Sequence, residues 1–282
     1  MRLISHRWLD SLNKDFKYAE SSKEAFENLL NRWYWLEFDV NFSKDLVPFV
    51  FHDKWLTRIS NWKDNRLFKD LGWVEIKKYE LQNNCHFITL DDLFQLIENE
   101  QKIWIRSALH LKSQYQEKKL LDILIKVIEN NPKIIEKLFM FDVKIDTAKY
   151  LKEKKSNIKL FFSVSHEYDV QRFNNSVWWT LYTVDEAIQN KNLIAWVWLD
   201  ERDRKDKYWT KKLYIDEVIN WFKGVWLKTA MISPELHAKS PWLLWWEFHE
   251  DAENDKKLKQ RIEEIKNLWI DFVCTDYLNY YK

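Results

Sequence analysis

Short apolar runs and stretches of helical spacing alternate from one end of the chain to the other. The apolar runs are Leu3–Ser5, Leu36–Val40, Ile103–Leu111, Leu138–Phe141, Leu160–Val164, Ile194–Leu199, Leu227–Ile232 and Ile270–Cys274. Their lengths suit buried strands. Helical spacing fills the gaps. Ala25, Phe26, Leu29 and Leu30 follow Ser21-Ser22-Lys23-Glu24, which offers a capping box. Thr89 precedes Leu90, Leu93, Phe94 and Ile97, and Tyr115–Asn130 carries Leu120, Leu121, Leu124, Ile125 and Ile128. Thr183–Glu186 repeats the box pattern, and Glu253–Leu268 sets Leu258, Ile262, Ile265 and Leu268 on one face. Eight strands alternating with helices predict an α/β protein, a (β/α)8 TIM barrel, with a doubly wound open sheet as the rival. Asn41–Val50 interrupts the alternation. A polar turn at Ser43-Lys44-Asp45 and the return of Val47–Phe51 to His52-Asp53 predict a small hairpin excursion after the second strand. No linker or low-complexity segment divides the chain, so a single domain over residues 1–282 is expected.

Composition alters this picture at one point. The chain has 18 tryptophans and 2 glycines. Ordinary chains carry about 7% glycine, roughly 20 residues at this length, and the two types together reach that number. Trp178-Trp179 and Trp245-Trp246 occupy turn-like stretches, and Trp8 follows His6-Arg7. Trp33 and Trp35 lie between a helical pattern and a strand, where a C-cap glycine supplies positive φ. The expectation is that most of these letters mark glycine positions, through UGA codons read as glycine; Trp55 and Trp73 are candidates for genuine tryptophan. An excess of lysine over arginine fits an AT-rich coding sequence. The alternative is a chain truly rich in tryptophan. Aromatic content is therefore no argument for carbohydrate stacking or a membrane belt.

Charge is balanced, with 45 basic and 44 acidic residues for a net +1, and no basic block suggests nucleic-acid binding. Two distant cysteines, Cys85 and Cys274, suit core thiols in a reducing compartment. The first strand-like run begins at Leu3, which leaves no room for a signal peptide, and no apolar run is long enough for a membrane span. A cytoplasmic protein is expected.

In a barrel of this kind, chemistry sits where the strands end. Those positions carry His6 and Arg7; Glu37 and Asp39, with His52 delivered by the hairpin; His110 and Lys112; Asp142 and Lys144; Ser165 and His166; Asp200, Glu201 and Asp203; Glu235 and His237; and Asp276. Solvated strand ends would carry many such residues without any function. Glu37 and Asp39, two apart on one strand, point to the same side and can share one hard cation. Arg7 and Lys112 suit a phosphate. His6 and His52 titrate near neutral pH and can serve as general base and general acid. Together they describe metal-assisted attack on a phosphodiester.

The sequence also resembles the glycerophosphodiester phosphodiesterase family. With glycine for Trp8, Ile4-Ser5-His6-Arg7-Trp8 reads ISHRG; Glu20-Ser21-Ser22 and Ala25-Phe26 resemble the family's ENT…AF segment. Trp35–Val40 reads GLEFDV, and Lys44-Asp45, Phe51-His52-Asp53 and Leu56-Thr57-Arg58 follow the pattern KDG…HD..L.R. Trp269–Asp276 reads GIDFVCTD, similar to the family's closing GVDGIITD. The resemblance implies a TIM-barrel phosphoric diester hydrolase that cleaves glycerophosphodiesters to glycerol 3-phosphate and an alcohol with Ca²⁺ or Mg²⁺. It also implies acid/base roles for His6 and His52, metal ligands at Glu37 and Asp39, and a phosphate contact at Arg7. At one position the chain departs from the family. Leu109-His110-Leu111-Lys112 keeps the family's lysine at Lys112 but places His110 where a third metal-binding glutamate is usual. An imidazole is a poor ligand for Ca²⁺ or Mg²⁺. Either the metal is softer, or another acid such as Glu201 or Asp142 completes the shell, or cation affinity is weak. The expected substrate is a small-molecule phosphodiester. The alternatives are a catalytically silent barrel that binds phosphate esters and a phospholipase D-type enzyme acting on lysolipids.

Overall fold

In the computed structural model, residues 1–8, 14–32, 34–100, 106–176, 180–202, 213–237 and 249–281 are described. Their strands are β1 (Arg2–Ser5), β2 (Trp35–Phe42), β3 (Pro48–Val50), β4 (Ile88–Thr89), β5 (Ser107–His110), β6 (Leu138–Phe141), β7 (Lys159–Val164), β8 (Leu181–Tyr182), β9 (Trp196–Leu199), β10 (Lys228–Ile232) and β11 (Phe272–Thr275). The sheet runs β1-β11-β10-β9-β7-β6-β5-β2, and β1 also pairs with β2. That last pairing excludes the open sheet. Eight strands close into a parallel (β/α)8 barrel, with helices between them in sequence. β3 is antiparallel to β2 and β4 is antiparallel to β3, so the hairpin excursion lies where it is expected. The candidate strand Ile103–Leu111 is realised as Ser107–His110, and residues 101–105 lie outside the described part.

Two compact units make up the chain. One comprises Ser5–Met140 and Tyr150–Ile158; the other comprises Met1–Ile4, Phe141–Lys149 and Lys159–Lys282. In the first, β2 is buried along its whole length. Phe38 packs edge-on against Phe26 of the helix Lys23–Asn31, so Glu37, Asp39 and Asn41 point to the opposite face. The excursion builds its own small core from Phe49, Phe51, Leu56, Phe68, Leu71, Ile76, Leu81, Cys85 and Phe87. That core holds the chain around His52 in place. In the second unit, β9 buries all four residues, and Trp196 and Trp198 stack on Phe272 and Phe141 respectively.

Several helix starts follow their sequence signals. The Thr89 side chain accepts from the Asp92 N–H, and Thr183 forms a full capping box with Glu186. The box expected at Ser21–Glu24 does not form. Ser21 takes a left-handed φ of 56°, so the helix begins one residue later. Ser22 caps it by accepting from the Ala25 N–H at 3.1 Å. Glu24 instead accepts from the backbone and the ring of His86.

The tryptophans divide by backbone geometry. Trp62 and Trp226 have φ of 65° and 67°, in the left-handed region that favours glycine. Trp226 is 92% exposed, so no packing of the ring offsets that strain. Trp35 corrects the expectation of a left-handed cap: it is the first residue of β2, is buried, and stacks on Phe139. Trp33, Trp178, Trp179, Trp245 and Trp246 lie outside the described residues.

Candidate active site

Strand register assembles the centre of the site. β2 and β5 are parallel with Asp39 opposite His110, and Lys112 lies two residues beyond His110 on the same side. The Asp39 carboxylate, 1% exposed, meets His110 Nδ1 at 2.8 Å and Lys112 Nζ at 3.2 Å, both at Oδ1. Its Oδ2 is buried and has no hydrogen-bond partner. Two residues earlier, Glu37 accepts from the Arg7 backbone N–H at 3.0 Å. Arg7 turns its amide towards that carboxylate in a left-handed conformation, with φ 46° and ψ 20°.

The hairpin brings in the second half. His52 follows β3, and its Nδ1 lies 2.8 Å from Asp53 Oδ1. A carboxylate only accepts, so Nδ1 carries the proton and the Nε2 lone pair is available. Asp53 also accepts from Arg58 Nε at 2.6 Å, and Arg58 pairs with Glu20. Lys112 donates to the His52 carbonyl. Asn41 Nδ2 donates to the carbonyls of Phe51 and Asp53, at 2.5 and 3.0 Å, and Asn41 Oδ1 accepts from the Tyr115 hydroxyl. These contacts tie the hairpin to β2.

Electrostatics separates the two acids. Burial raises the Glu37 carboxyl above its usual range, the neighbouring Asp39 charge adds to this, and His6 and His110 oppose it. Burial acts on Asp39 in the same direction. There, however, the Lys112 charge and the His110 hydrogen bond outweigh it and hold the carboxyl well below its usual value. His52 is pushed down to about 3, first by burial and then by the charges of Lys112 and Arg7. It is therefore neutral at physiological pH. All seven residues singled out from the sequence (His6, Arg7, Glu37, Asp39, His52, His110 and Lys112) fall in one unit and act on one another. The Trp8 side chain lies outside the described residues.

Glu37, Asp39 and His110 each present a ligand atom within 4.8 Å of the other two. Two carboxylates, one imidazole and the partnerless Oδ2 of Asp39 fit a divalent cation. Arg7 Nε is also buried without a hydrogen-bond partner, which suits it to an incoming anion.

A profile of the glycerophosphoryl diester phosphodiesterase family matches residues 17–219. The chain belongs to this family. It is a phosphoric diester hydrolase. A phosphodiesterase of Oleispira antarctica, solved in complex with the product sn-glycerol-3-phosphate, shares 15% identity over 100% of this chain and 95% of that one, with a TM-score of 0.65. A glycerophosphodiester phosphodiesterase of Thermotoga maritima shares 18% identity over 99% and 96%, with a TM-score of 0.60. One from Parabacteroides distasonis shares 16% over 99% and 84%, with a TM-score of 0.65. At these identities the likeness speaks for the fold. A search of curated proteins finds no match.

The remaining strand-end candidates belong to the other unit and are occupied differently. Glu201 accepts from Arg261 at 2.6 Å and from the backbone N–H groups of Leu213 and Tyr214, each at 3.0 Å. Glu235 accepts from Ser233, Thr275 and the Asp276 N–H. Asp200 pairs with His237, and the Ser165 hydroxyl donates to the Asp200 carbonyl. His166 accepts weakly from the Tyr168 N–H, and Asp142 is buried with φ 65°. Asp203 lies outside the described residues. Residue-type reasoning passed over Asp53, Arg58, Asn41 and Tyr115. The HD..L.R pattern already contained the first two, whereas nothing local marks Asn41 or Tyr115.

Proposed function

We propose that this family member hydrolyses glycerophosphodiesters to glycerol 3-phosphate and an alcohol. In this reading His6 and His52 are the acid–base pair, Glu37, Asp39 and His110 hold a divalent cation, and Arg7 and Lys112 bind the phosphate. The observation that carries it is the partnerless Oδ2 of buried Asp39, set beside Glu37 and His110, with Lys112 reaching from Asp39 to the carbonyl of a neutral, carboxylate-anchored His52. The Oleispira antarctica enzyme, with its glycerol 3-phosphate product, supports the substrate class. A bound cation would neutralise charge on the phosphoryl oxygens and increase the electrophilicity of phosphorus.

His52 Nε2 takes the proton from a hydroxyl of the substrate glycerol, and the Asp53 carboxylate stabilises the imidazolium that results. The glycerol oxygen attacks phosphorus as the bond to the leaving alcohol breaks. His6 donates a proton to that alcohol. The product of this step is a cyclic glycerol phosphate, which water opens to glycerol 3-phosphate. Arg7 Nε donates to a phosphate oxygen throughout, and Lys112 balances charge from its place beside Asp39. The enzyme works as one domain over residues 1–282. The buried free thiols of Cys85 and Cys274 suit the cytoplasm. Among the described residues no helix is long and apolar enough to cross a membrane.

The Asp39–His110 contact favours one other reading, a silent barrel that binds phosphate esters, because it occupies one oxygen of the metal-facing carboxylate. Incubation with glycerophosphocholine across a series of divalent cations separates the two. Release of glycerol 3-phosphate supports the hydrolase. Retained glycerol 3-phosphate binding without turnover, whatever the cation, supports the silent barrel.

A further inference from the structure

We infer that the cation of this site is a borderline transition metal such as Co²⁺ or Zn²⁺, and that His110 selects it over Ca²⁺ and Mg²⁺. The inference borrows from the proposed function only the presence of a cation at Glu37 and Asp39. Identity follows from the third donor. Ca²⁺ seeks six to eight oxygens and Mg²⁺ an octahedron of oxygens, whereas an imidazole nitrogen suits zinc and the other later first-row metals.

Several acids that could have supplied a third oxygen are engaged elsewhere. Asp53 is held by His52 at 2.8 Å and by Arg58 at 2.6 Å. Glu20 is paired with Arg58, and Glu24 with His86. Glu201, a candidate from the sequence, has both carboxylate oxygens engaged by Arg261 and two backbone amides. Among the described residues, the group that gathers ligand atoms within 4.8 Å is Glu37, Asp39 and His110.

Charge points the same way. Lys112 lies 3.2 Å from Asp39 and offsets part of the negative charge of the two carboxylates. A hard ion that depends on accumulated carboxylate charge gains little here. A metal that forms a more covalent bond to nitrogen depends on that charge less. The β2–β5 register, with Asp39 opposite His110, keeps the imidazole beside the carboxylate.

The test uses metal-free full-length protein and two variants, His110→Glu and His110→Gln. Equilibrium dialysis with elemental analysis gives affinities for Mg²⁺, Ca²⁺, Mn²⁺ and Zn²⁺. Electron spin-echo spectroscopy of the Mn²⁺ form reports any directly bound nitrogen. Most mixed-donor sites rank zinc above magnesium, so the change on substitution decides. We expect nitrogen coupling in the wild type and its loss in both variants. In His110→Glu the zinc-to-magnesium affinity ratio falls by at least about tenfold. No bound nitrogen in the wild type, or an unchanged ratio in His110→Glu, overturns the inference; His110→Gln supplies the spectroscopic comparison should the glutamate variant fail to fold. Nitrogen-bound manganese without turnover under any cation leaves the inference standing and defeats the proposed function. Turnover with Ca²⁺ and no nitrogen coupling does the reverse.

Discussion

The two units of this chain place the same kinds of residue at strand ends and treat them in opposite ways. After β9 and β10, the carboxylates of Glu201 and Glu235 accept hydrogen bonds at both oxygens, from Arg261, Ser233, Thr275 and backbone amides. Beside β2 and β5, Asp39 Oδ2 has no such partner, and Arg7 Nε is likewise unused. A buried polar atom without a partner costs about 1–3 kcal/mol, more when charged. Such a cost persists where a ligand repays it. Strand-end position and residue type are therefore weak markers of chemistry by themselves. Unfilled capacity is not confined to the site, because Arg261 Nε and His249 Nε2 in the other unit are also buried without a hydrogen-bond partner; what marks the site is that the unfilled oxygen belongs to a carboxylate grouped with Glu37 and His110.

Turnover separates the two units most clearly. His52→Ala is expected to lower kcat by about 10²- to 10⁴-fold, the usual contribution of general acid–base catalysis. Its melting temperature should stay near the wild-type value, because the His52 side chain is 32% exposed and lies outside the apolar core of the excursion. A near-normal rate would remove His52 from the mechanism.

Glu201→Gln should do the opposite. Loss of a buried charge that pairs with Arg261 costs about 3–5 kcal/mol of stability, while turnover per folded molecule stays within a few-fold. Thermal and urea unfolding read the first, and active-site-normalised rates read the second. A stable but inactive Glu201→Gln would move that cluster into the machinery. The pH dependence has a definite sign. Burial tends to raise the Glu201 carboxyl, but the nearby His249 ring at 3.6 Å, the Arg261 charge and the Tyr214 amide outweigh it and lower it from 4.5 to about 2. Its contribution is complete above pH 4.5 and is lost as pH falls towards about 2. Unfolding midpoints followed through that window should fall less steeply in the glutamine variant.

A smaller effect sharpens the other side. A divalent cation at one hundred times its Kd should stabilise the protein by about 2.7 kcal/mol. Calorimetry should show that gain reduced by Asp39→Asn and unchanged by Glu235→Gln. Equal losses in both variants would mean that the unfilled oxygen of Asp39 is not the binding feature. Trp226→Gly tests the backbone itself. Relief of a left-handed, exposed tryptophan should raise stability by about 1 kcal/mol. A loss of stability there would argue for a genuine tryptophan.

Much of this protein was legible along the chain. Alternating apolar runs and helical spacing implied the strands, because period and length are local properties. Glu37 and Asp39 could be placed on one face because side chains on a strand alternate. The hairpin was legible from the polar turn at Ser43-Lys44-Asp45. The start of the first helix was not, because the preference of Glu24 for His86, 62 residues away, is a tertiary matter.

Sequence by itself therefore determined the residue types, their order, and which of them share a strand face. These follow from bonds and torsions between neighbours. Only the folded structure decided that β1 closes onto β2, that Asp39 lies opposite His110, and which carboxylates are already satisfied. Those outcomes depend on register and burial between segments distant in the chain, where a one-residue slip would turn each side chain to the other face.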